Sequence, residues 1–314
     1  MKAIITGASG VLGRAATKYF DAKGDTVIPL SFTRSSRADS RLPAYEKLDL
    51  LDFDATRAFF RAQKDIGVIV HCAAERRPDV AEQDPQRAER LNRDVVELLV
   101  QLAEEMGCLM IYVSTDYVFD GKAPPYKPSD KPNPLNLYGK LKEAGEQAVL
   151  SSTQERTSGK GAIVLRVPLL YGEVEYNAET AVNIFVDVIQ DQSGKTYKMD
   201  HFAVRFPTCV EDVARVMYDL AHTDKPLPPI VHFSAQRGYT KYEMTQHMAS
   251  CLGFPIDHVI PDTTDPATVE QAVVRPGNTQ LSVEALEGEV GVSAKEEKGF
   301  DAWWREWAER NKKA

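Results

Sequence analysis

The chain has 314 residues, of which 43% are hydrophobic and 27% charged, with a net charge of −8. These fractions exclude disordered and collagen-like classes, and the length suffices to bury a large core without disulfide or metal staples. The acidic balance speaks against nucleic acid or an anionic membrane as partner, and no apolar run reaches the ~20 residues of a membrane helix. Cys72, Cys108, Cys209 and Cys251 show no paired spacing and the six histidines no ligand pattern. No metal site is expected, and a reducing, cytoplasmic location is.

Short apolar runs alternate with helical periodicity. Residues 2–6 read as a strand running straight into Thr6-Gly7, so the fold is expected to start at residue 2 with no leader. Helices are expected at 11–23, 52–63, 85–106 and 136–150, and strands at 25–30, 46–48, 68–72, 109–114 and 162–167. Unbroken apolar strands such as Val68-Ile69-Val70 suit a parallel sheet covered on both faces, and strand–helix alternation implies crossover connections. The expected fold is α/β: a doubly wound parallel sheet over 1–168, then a smaller α/β lobe over 169–314 with helices at 210–222 and 241–251. The chain is expected to pass between the two lobes.

The first chemical motif is Thr6-Gly7-Ala8-Ser9-Gly10-Val11-Leu12-Gly13, between a strand and a helix. Gly7 permits the tight turn, Gly10 lets a pyrophosphate approach the backbone, and Gly13 lets the helix sit close to the sheet. The helix N-terminus then offers free N–H groups to the anion. Past the second strand, an NAD protein usually places an acid for the ribose 2′-hydroxyl. This chain has Arg34, Ser35, Ser36 and Arg37, which suit a 2′-phosphate, so NADP is expected, with NAD as the alternative. Asp49 and Leu50, after the third strand, are candidates for the adenine.

The second motif is Tyr138-Gly139-Lys140-Leu141-Lys142. Tyr138 and Lys142 share a helix face, and a neighbouring ammonium lowers a phenol's pKa from ~10 toward neutrality, where it can exchange a proton with a carbonyl. Ser114-Thr115 ends a strand, where a hydroxyl faces the crevice of an open α/β sheet.

TGASGVLG (6–13), STDYVFDG (114–121) and YGKLK (138–142) together resemble the extended short-chain dehydrogenase/reductase superfamily over nearly the whole chain. The resemblance implies a Rossmann domain in which Thr115 positions a substrate oxygen and Tyr138 is the general acid/base. Lys142 then assists Tyr138 and holds the nicotinamide ribose. It also implies that Cys72, Ala73, Ala74, Val167 and Pro168 border the cofactor. Within the superfamily, DYVFDG (116–121) and PLNLYG (134–139) resemble dTDP-4-dehydrorhamnose reductases. HCAAERRPD (71–79), LYGEVE (170–175), RFPT (205–208), TKYEM (240–244) and RPGNTQL (275–281) are similar to the regulatory beta subunits of methionine adenosyltransferase. That second likeness implies a reductase-like, NADP-binding regulator partnered with the catalytic subunit that makes S-adenosylmethionine. An NADPH-dependent reductase of a 4-keto sugar nucleotide, or of another carbonyl, is the alternative, and a homodimer stays open.

Residues 173–191 carry Glu173, Glu175, Glu179, Asp187 and Asp191 without a Lys or Arg. Such a stretch over the crevice is expected to repel a substrate diphosphate. Arg76 and Arg77 can either face the pocket or pair with Glu75 and Asp79. Trp303, Trp304 and Trp307 are expected to anchor a final helix to the core, with docking to a partner as the other reading.

Overall fold

A computed structural model describes residues 1–34, 42–152, 160–265, 268 and 273–311. The chain opens with β1 (Lys2–Thr6), α1 (Val11–Ala22), β2 (Thr26–Ser31), β3 (Glu46–Lys47), α2 (Phe53–Ala62) and β4 (Val68–His71). Helices α3 (Pro78–Gln83), α4 (Pro85–Glu89) and α5 (Val95–Met106) lead to β5 (Leu109–Thr115), α6 (Leu137–Leu150) and β6 (Gly161–Val167). Among the described residues one sheet has seven strands, all parallel, in the order β10-β6-β5-β4-β1-β2-β3. The last strand, β10 (Ile230–His232), lies far down the chain yet pairs with β6 at Val231↔Leu165. The doubly wound sheet read from the strand–helix alternation is therefore present.

Both faces of the sheet are covered. Phe20 and Ala16 of α1 meet Val213 and Met217 of α8 (Val210–His222) on one side. On the other side Phe60 of α2, Leu98, Leu99 and Leu102 of α5 and Val149 of α6 form a second core. A third core belongs to the smaller lobe: β7 (Leu170–Tyr171), α7 (Phe185–Gln190), β8 (Tyr197–Asp200), β9 (Thr208–Cys209), α9 (Lys241–Leu252), β11 (Val259–Asp262) and α10 (Phe300–Asn311). There Trp303 and Trp304 are buried against Tyr171, with Trp307 at the edge. The tryptophans thus anchor the last helix to the protein's own core.

The helix expected over 85–106 is not uniform. Residues Arg90–Asp94 form a wider turn that pushes Asn92 inward. Its amide accepts from Glu75 N at 2.9 Å and donates to Glu75 O at 2.9 Å, which fixes the loop after β4. At the start of α6, Asn136 Oδ1 accepts from Gly139 N at 2.9 Å, a side-chain N-cap. A Cβ on Gly139 would come within 2.4 Å of Tyr117 O, so only glycine lets this helix end approach the loop beyond β5. No described helix is long and apolar enough to cross a membrane.

Candidate functional site

The carboxyl ends of the central strands open on a cavity of about 810 Å³, within the range of small-molecule sites. Its floor is the Gly-rich turn. Gly7 has φ +64, and a Cβ there would stand 2.7 Å from Ala73 N; one on Gly13 would stand 2.2 Å from Gly7 O. No side chain caps the N-terminus of α1 at Gly10, which leaves its first amides for a ligand. This cradle fits the pyrophosphate of a dinucleotide. Gly7, Ser9, Gly10, Val11, Leu12, Gly13, Asp49, Leu50, Cys72, Ala73, Ala74, Thr115, Tyr138, Lys142, Val167 and Pro168 all line the cavity. Thr6 does not: its Oγ1 lies 2.7 Å from His71 Nδ1, in a buried bond beneath the turn. Ser35 and Arg37 lie outside the described residues.

Beyond β2, Ser31 Oγ donates to Ser9 Oγ at 2.9 Å. Arg34 donates to Ser9 O at 3.0 Å and to Glu175 Oε2 at 2.7 Å. Glu179 accepts from Arg14 Nη2 at 2.6 Å and pairs with Arg34 Nη2 at 2.7 Å. Burial would raise the Glu179 carboxyl, but the Arg14 bond, the Glu175 N–H and Arg34 outweigh it and hold the group below its ordinary value.

The acidic segment is therefore not the repulsive lid read from its composition. Glu175 and Glu179 are matched by two arginines from the opposite side of the cleft, Glu173 pairs with Arg310, and Asp191 accepts from the Tyr197 hydroxyl at 2.5 Å. Of the five carboxylates only Glu179 lines the cavity. The cavity walls also carry Arg76, Arg77, Arg205, Lys241 and Arg275, with Glu75, Asp79 and Asp116 among them. Arg76 donates to Glu179 O at 2.5 Å, while Arg77 pairs with Glu75 at 3.3 Å. Arg205, Lys241 and Arg275 each sit in a motif quoted for the family likeness, but nothing in their spacing marks them as one wall.

The phenol and ammonium also differ from expectation. Lys142 is buried; its Nζ donates to Val113 O at 2.7 Å and lies 4.0 Å from the Tyr112 ring centroid. Burial pulls its pKa down to about 7, against the opposing pull of Glu146 and Cys72. Tyr138 is raised, first by burial; a Thr115 hydrogen bond lowers it, Asp116 and Tyr117 raise it, and the cation that lowers it is Arg76. An i, i+4 spacing places two residues on one face but leaves a long lysine stem free to find the β5 carbonyl. The Tyr138 phenol is thus a half-buried proton donor beside the Thr115 hydroxyl. Ser114, the neighbouring hydroxyl, donates to Glu146 Oε1 at 2.5 Å.

Glu146 anchors a polar knot under this site. Arg166 Nε and Nη2 donate to its two oxygens at 2.9 and 2.6 Å, and Arg166 Nη1 lies 3.2 Å from His232 Nε2. All three side chains are buried. The doubly hydrogen-bonded Glu146–Arg166 pair at the centre of this knot holds α6, and with it Tyr138 and Lys142, over β5 and β6.

A parallel sheet in this strand order, with a glycine cradle at the first turn and a Tyr-x-x-x-Lys helix over the cavity, defines a reductase-like Rossmann protein. The RmlD substrate binding domain family matches residues 1–300. The methionine adenosyltransferase 2 subunit beta of Xenopus tropicalis is 45% identical over 289 residues, spanning 91% of this chain and 81% of that protein. The crystal structure of a dTDP-4-dehydrorhamnose reductase from Clostridium acetobutylicum superposes with a TM-score of 0.78 at 25% identity, over 99% of this chain and 100% of that one. The corresponding Bacillus anthracis enzyme, solved in complex with NADP, has a TM-score of 0.78 at 23% identity, covering 98% of each chain. The chain belongs to the RmlD substrate binding domain family and, within it, to the family of methionine adenosyltransferase beta subunits.

Proposed function

We propose that the protein is a regulatory subunit that binds NADP and associates with a catalytic subunit of methionine adenosyltransferase, the enzyme that makes S-adenosylmethionine. The observation that carries this reading is the 45% identity over 289 residues with the Xenopus tropicalis beta subunit. Co-purification with the catalytic subunit and a change in that subunit's kinetics test it. No association at micromolar concentrations of both proteins overturns it.

The cradle at Gly7, Gly10 and Gly13, with the uncapped start of α1, would hold the pyrophosphate, and Lys142 the nicotinamide ribose. NADP is favoured over NAD because the residues after β2 are Phe32, Thr33 and Arg34, with no acid to take a 2′-hydroxyl. The Arg34 guanidinium, already at the Ser9 carbonyl, suits a 2′-phosphate.

A second reading, carbonyl reduction, is favoured by the cationic wall beside the intact Thr115 and Tyr138. A reduced nicotinamide supplies a hydride to the carbonyl carbon when bound. Thr115 donates a hydrogen bond to the carbonyl oxygen, and Tyr138 gives that oxygen the proton that completes the alcohol; solvent restores the phenol. NADPH oxidation dependent on a 4-keto sugar nucleotide, reduced ~100-fold or more in Tyr138→Phe, supports it. Equal background rates in wild type and variant exclude it.

A further inference from the structure

The segment between β7 and α7 reaches from the smaller lobe to the Gly-rich turn. Its two ends are tied to each other: Thr180 Oγ1 donates to Asn183 Oδ1 at 2.7 Å, and Asn183 Nδ2 donates to Gly172 O at 2.9 Å. Residues 173–182 between these ties form a compact surface loop with its ends together. Its internal bonds are short-range, with Glu179 N donating to Tyr176 O at 3.0 Å and Glu175 N to Glu179 Oε2 at 2.7 Å. On the lobe side, Glu173 pairs with Arg310, and Asn177 Nδ2 donates to Asp187 Oδ1 at 2.6 Å.

The sheet side is fastened differently. Among the described residues, every hydrogen bond and ion pair from this loop to the sheet side is made by Arg14, Arg34 or Arg76. Arg14, on α1, meets Glu179 through both Nη atoms, at 2.9 and 2.6 Å, a fork-to-carboxylate pair. Arg34, past β2, holds Glu175 at 2.7 Å and the Tyr176 hydroxyl at 3.0 Å. Arg76, past β4, donates to Glu179 O. Arg14 and Arg34 also both donate to Ser9 O, at 2.6 and 3.0 Å. The loop is therefore fastened to the turn read as the pyrophosphate cradle, and Glu179, Thr180 and Ala181 line the cavity.

The two carboxylate fastenings are unequal. The Arg14 and Glu179 side chains are 17% and 4% exposed, those of Arg34 and Glu175 27% and 32%. Water and salt screen the outer pair more than the inner one. A 2′-phosphate that takes over Arg34 removes the outer fastening and leaves the inner one in place.

We propose that residues 173–182 are a strap over the dinucleotide cradle, which lifts from Arg14 for a nucleotide to enter or leave and closes behind it. This rests on the NADP-binding reading and adds the step that sets the rate of exchange. The Arg14–Glu179 pair is made before and after binding and is broken only in between. It therefore slows association and release by the same factor and leaves the affinity nearly unchanged.

Stopped-flow fluorescence of NADPH with the full-length protein tests this. Glu179→Gln should raise both the association and the release rate about tenfold and leave Kd within about threefold of wild type. Glu173→Gln removes the same charge from the same loop but on the lobe side, and both rates should stay within about twofold of wild type. Hydrogen exchange without nucleotide is the second readout: amides of 175–181 should exchange about tenfold faster in Glu179→Gln, and those of α6 at the wild-type rate. Unchanged release in Glu179→Gln, or equal acceleration in Glu173→Gln, overturns the strap. So does weaker binding in Glu179→Gln without faster association, which would make Glu179 a plain nucleotide contact. A folded wild type that takes up no NADPH overturns the binding reading and the strap with it; a wild type that binds, with unaltered rates in Glu179→Gln, overturns the strap alone.

Discussion

Arg34 and Glu175, 141 residues apart in sequence, meet with Nη1 at 2.7 Å from Oε2 at the mouth of the dinucleotide cradle. A 2′-phosphate bound there must compete with Glu175 and Glu179 for this guanidinium. Arg34→Ala should therefore weaken NADPH about tenfold while leaving NADH nearly unchanged, and Glu175→Gln should tighten NADPH about threefold. Equilibrium titration of both nucleotides reads the ratio. An NADPH/NADH preference unaltered in Arg34→Ala would remove Arg34 from cofactor choice.

The Glu146–Arg166 pair is buried on both sides, with side chains 0% and 1% exposed. Glu146→Gln leaves a buried guanidinium without its counter-charge, and breaking such a pair costs about 3–5 kcal/mol. Chemical denaturation should report a loss of that order. A double change to Glu146→Leu with Arg166→Met should recover much of it, because neither charge then remains buried. A loss in the double variant as large as in the single one would mean that the hydrogen-bonded geometry, and not charge, is what α6 requires.

Two buried imidazoles set an acid limit on stability. Burial, and then the Lys142 charge, hold His71 down to about 3; burial, and then Arg166, do the same to His232, also to about 3. In the unfolded chain both titrate near 6.5. Below that value the unfolded state binds more protons, so stability is present above about pH 6.5 and falls as pH drops toward about 3, by ~1.4 kcal/mol per pH unit for each histidine once its unfolded form is charged. Urea denaturation at about pH 7.5 and about pH 5 measures this. His71→Asn should lose less stability across that interval than wild type; parallel losses would contradict the assignment.

The final helix is stapled by Trp304, which is fully buried and meets Phe300, Trp303 and Trp307 at ring-centroid distances of 6.1, 4.9 and 5.3 Å. Trp304→Ala should cost about 3–5 kcal/mol in thermal or chemical denaturation, and Trp307→Ala, at the edge of the cluster, distinctly less. Equal losses would show that the helix is held by its rim.

The local half of the fold was legible. Residues 2–6 and 210–222 form the expected strand and helix, because a short unbroken apolar run closed by Thr6-Gly7 suits a buried strand and the apolar spacing of 210–222 matches the helical period. Strand β10 escaped because three residues behind Pro226, Pro228 and Pro229 carry too little pattern to show. The wide turn at Arg90–Asp94 escaped because its purpose is tertiary: it delivers Asn92 to the Glu75 backbone. Candidate site residues read from the glycine turn and the strand ends line the cavity with the exception of Thr6, since those positions are set by topology, while Thr6 turns under the loop to His71. Charges were the unreadable part. Within 173–191, Glu173, Glu175 and Glu179 are matched by Arg310, Arg34 and Arg14, and the direction of Lys142 is set by the Val113 carbonyl, none of which is adjacent in sequence.

The central claim is that the turn over residues 7–13 seats a nicotinamide dinucleotide in the cavity beside Tyr138. Calorimetric titration of the purified protein with NADPH tests it most directly. The account predicts one nucleotide bound per chain, with binding lost in Gly13→Val, where the added side chain would collide with Gly7 O. No detectable uptake of either NADPH or NADH by a folded wild-type protein would contradict it.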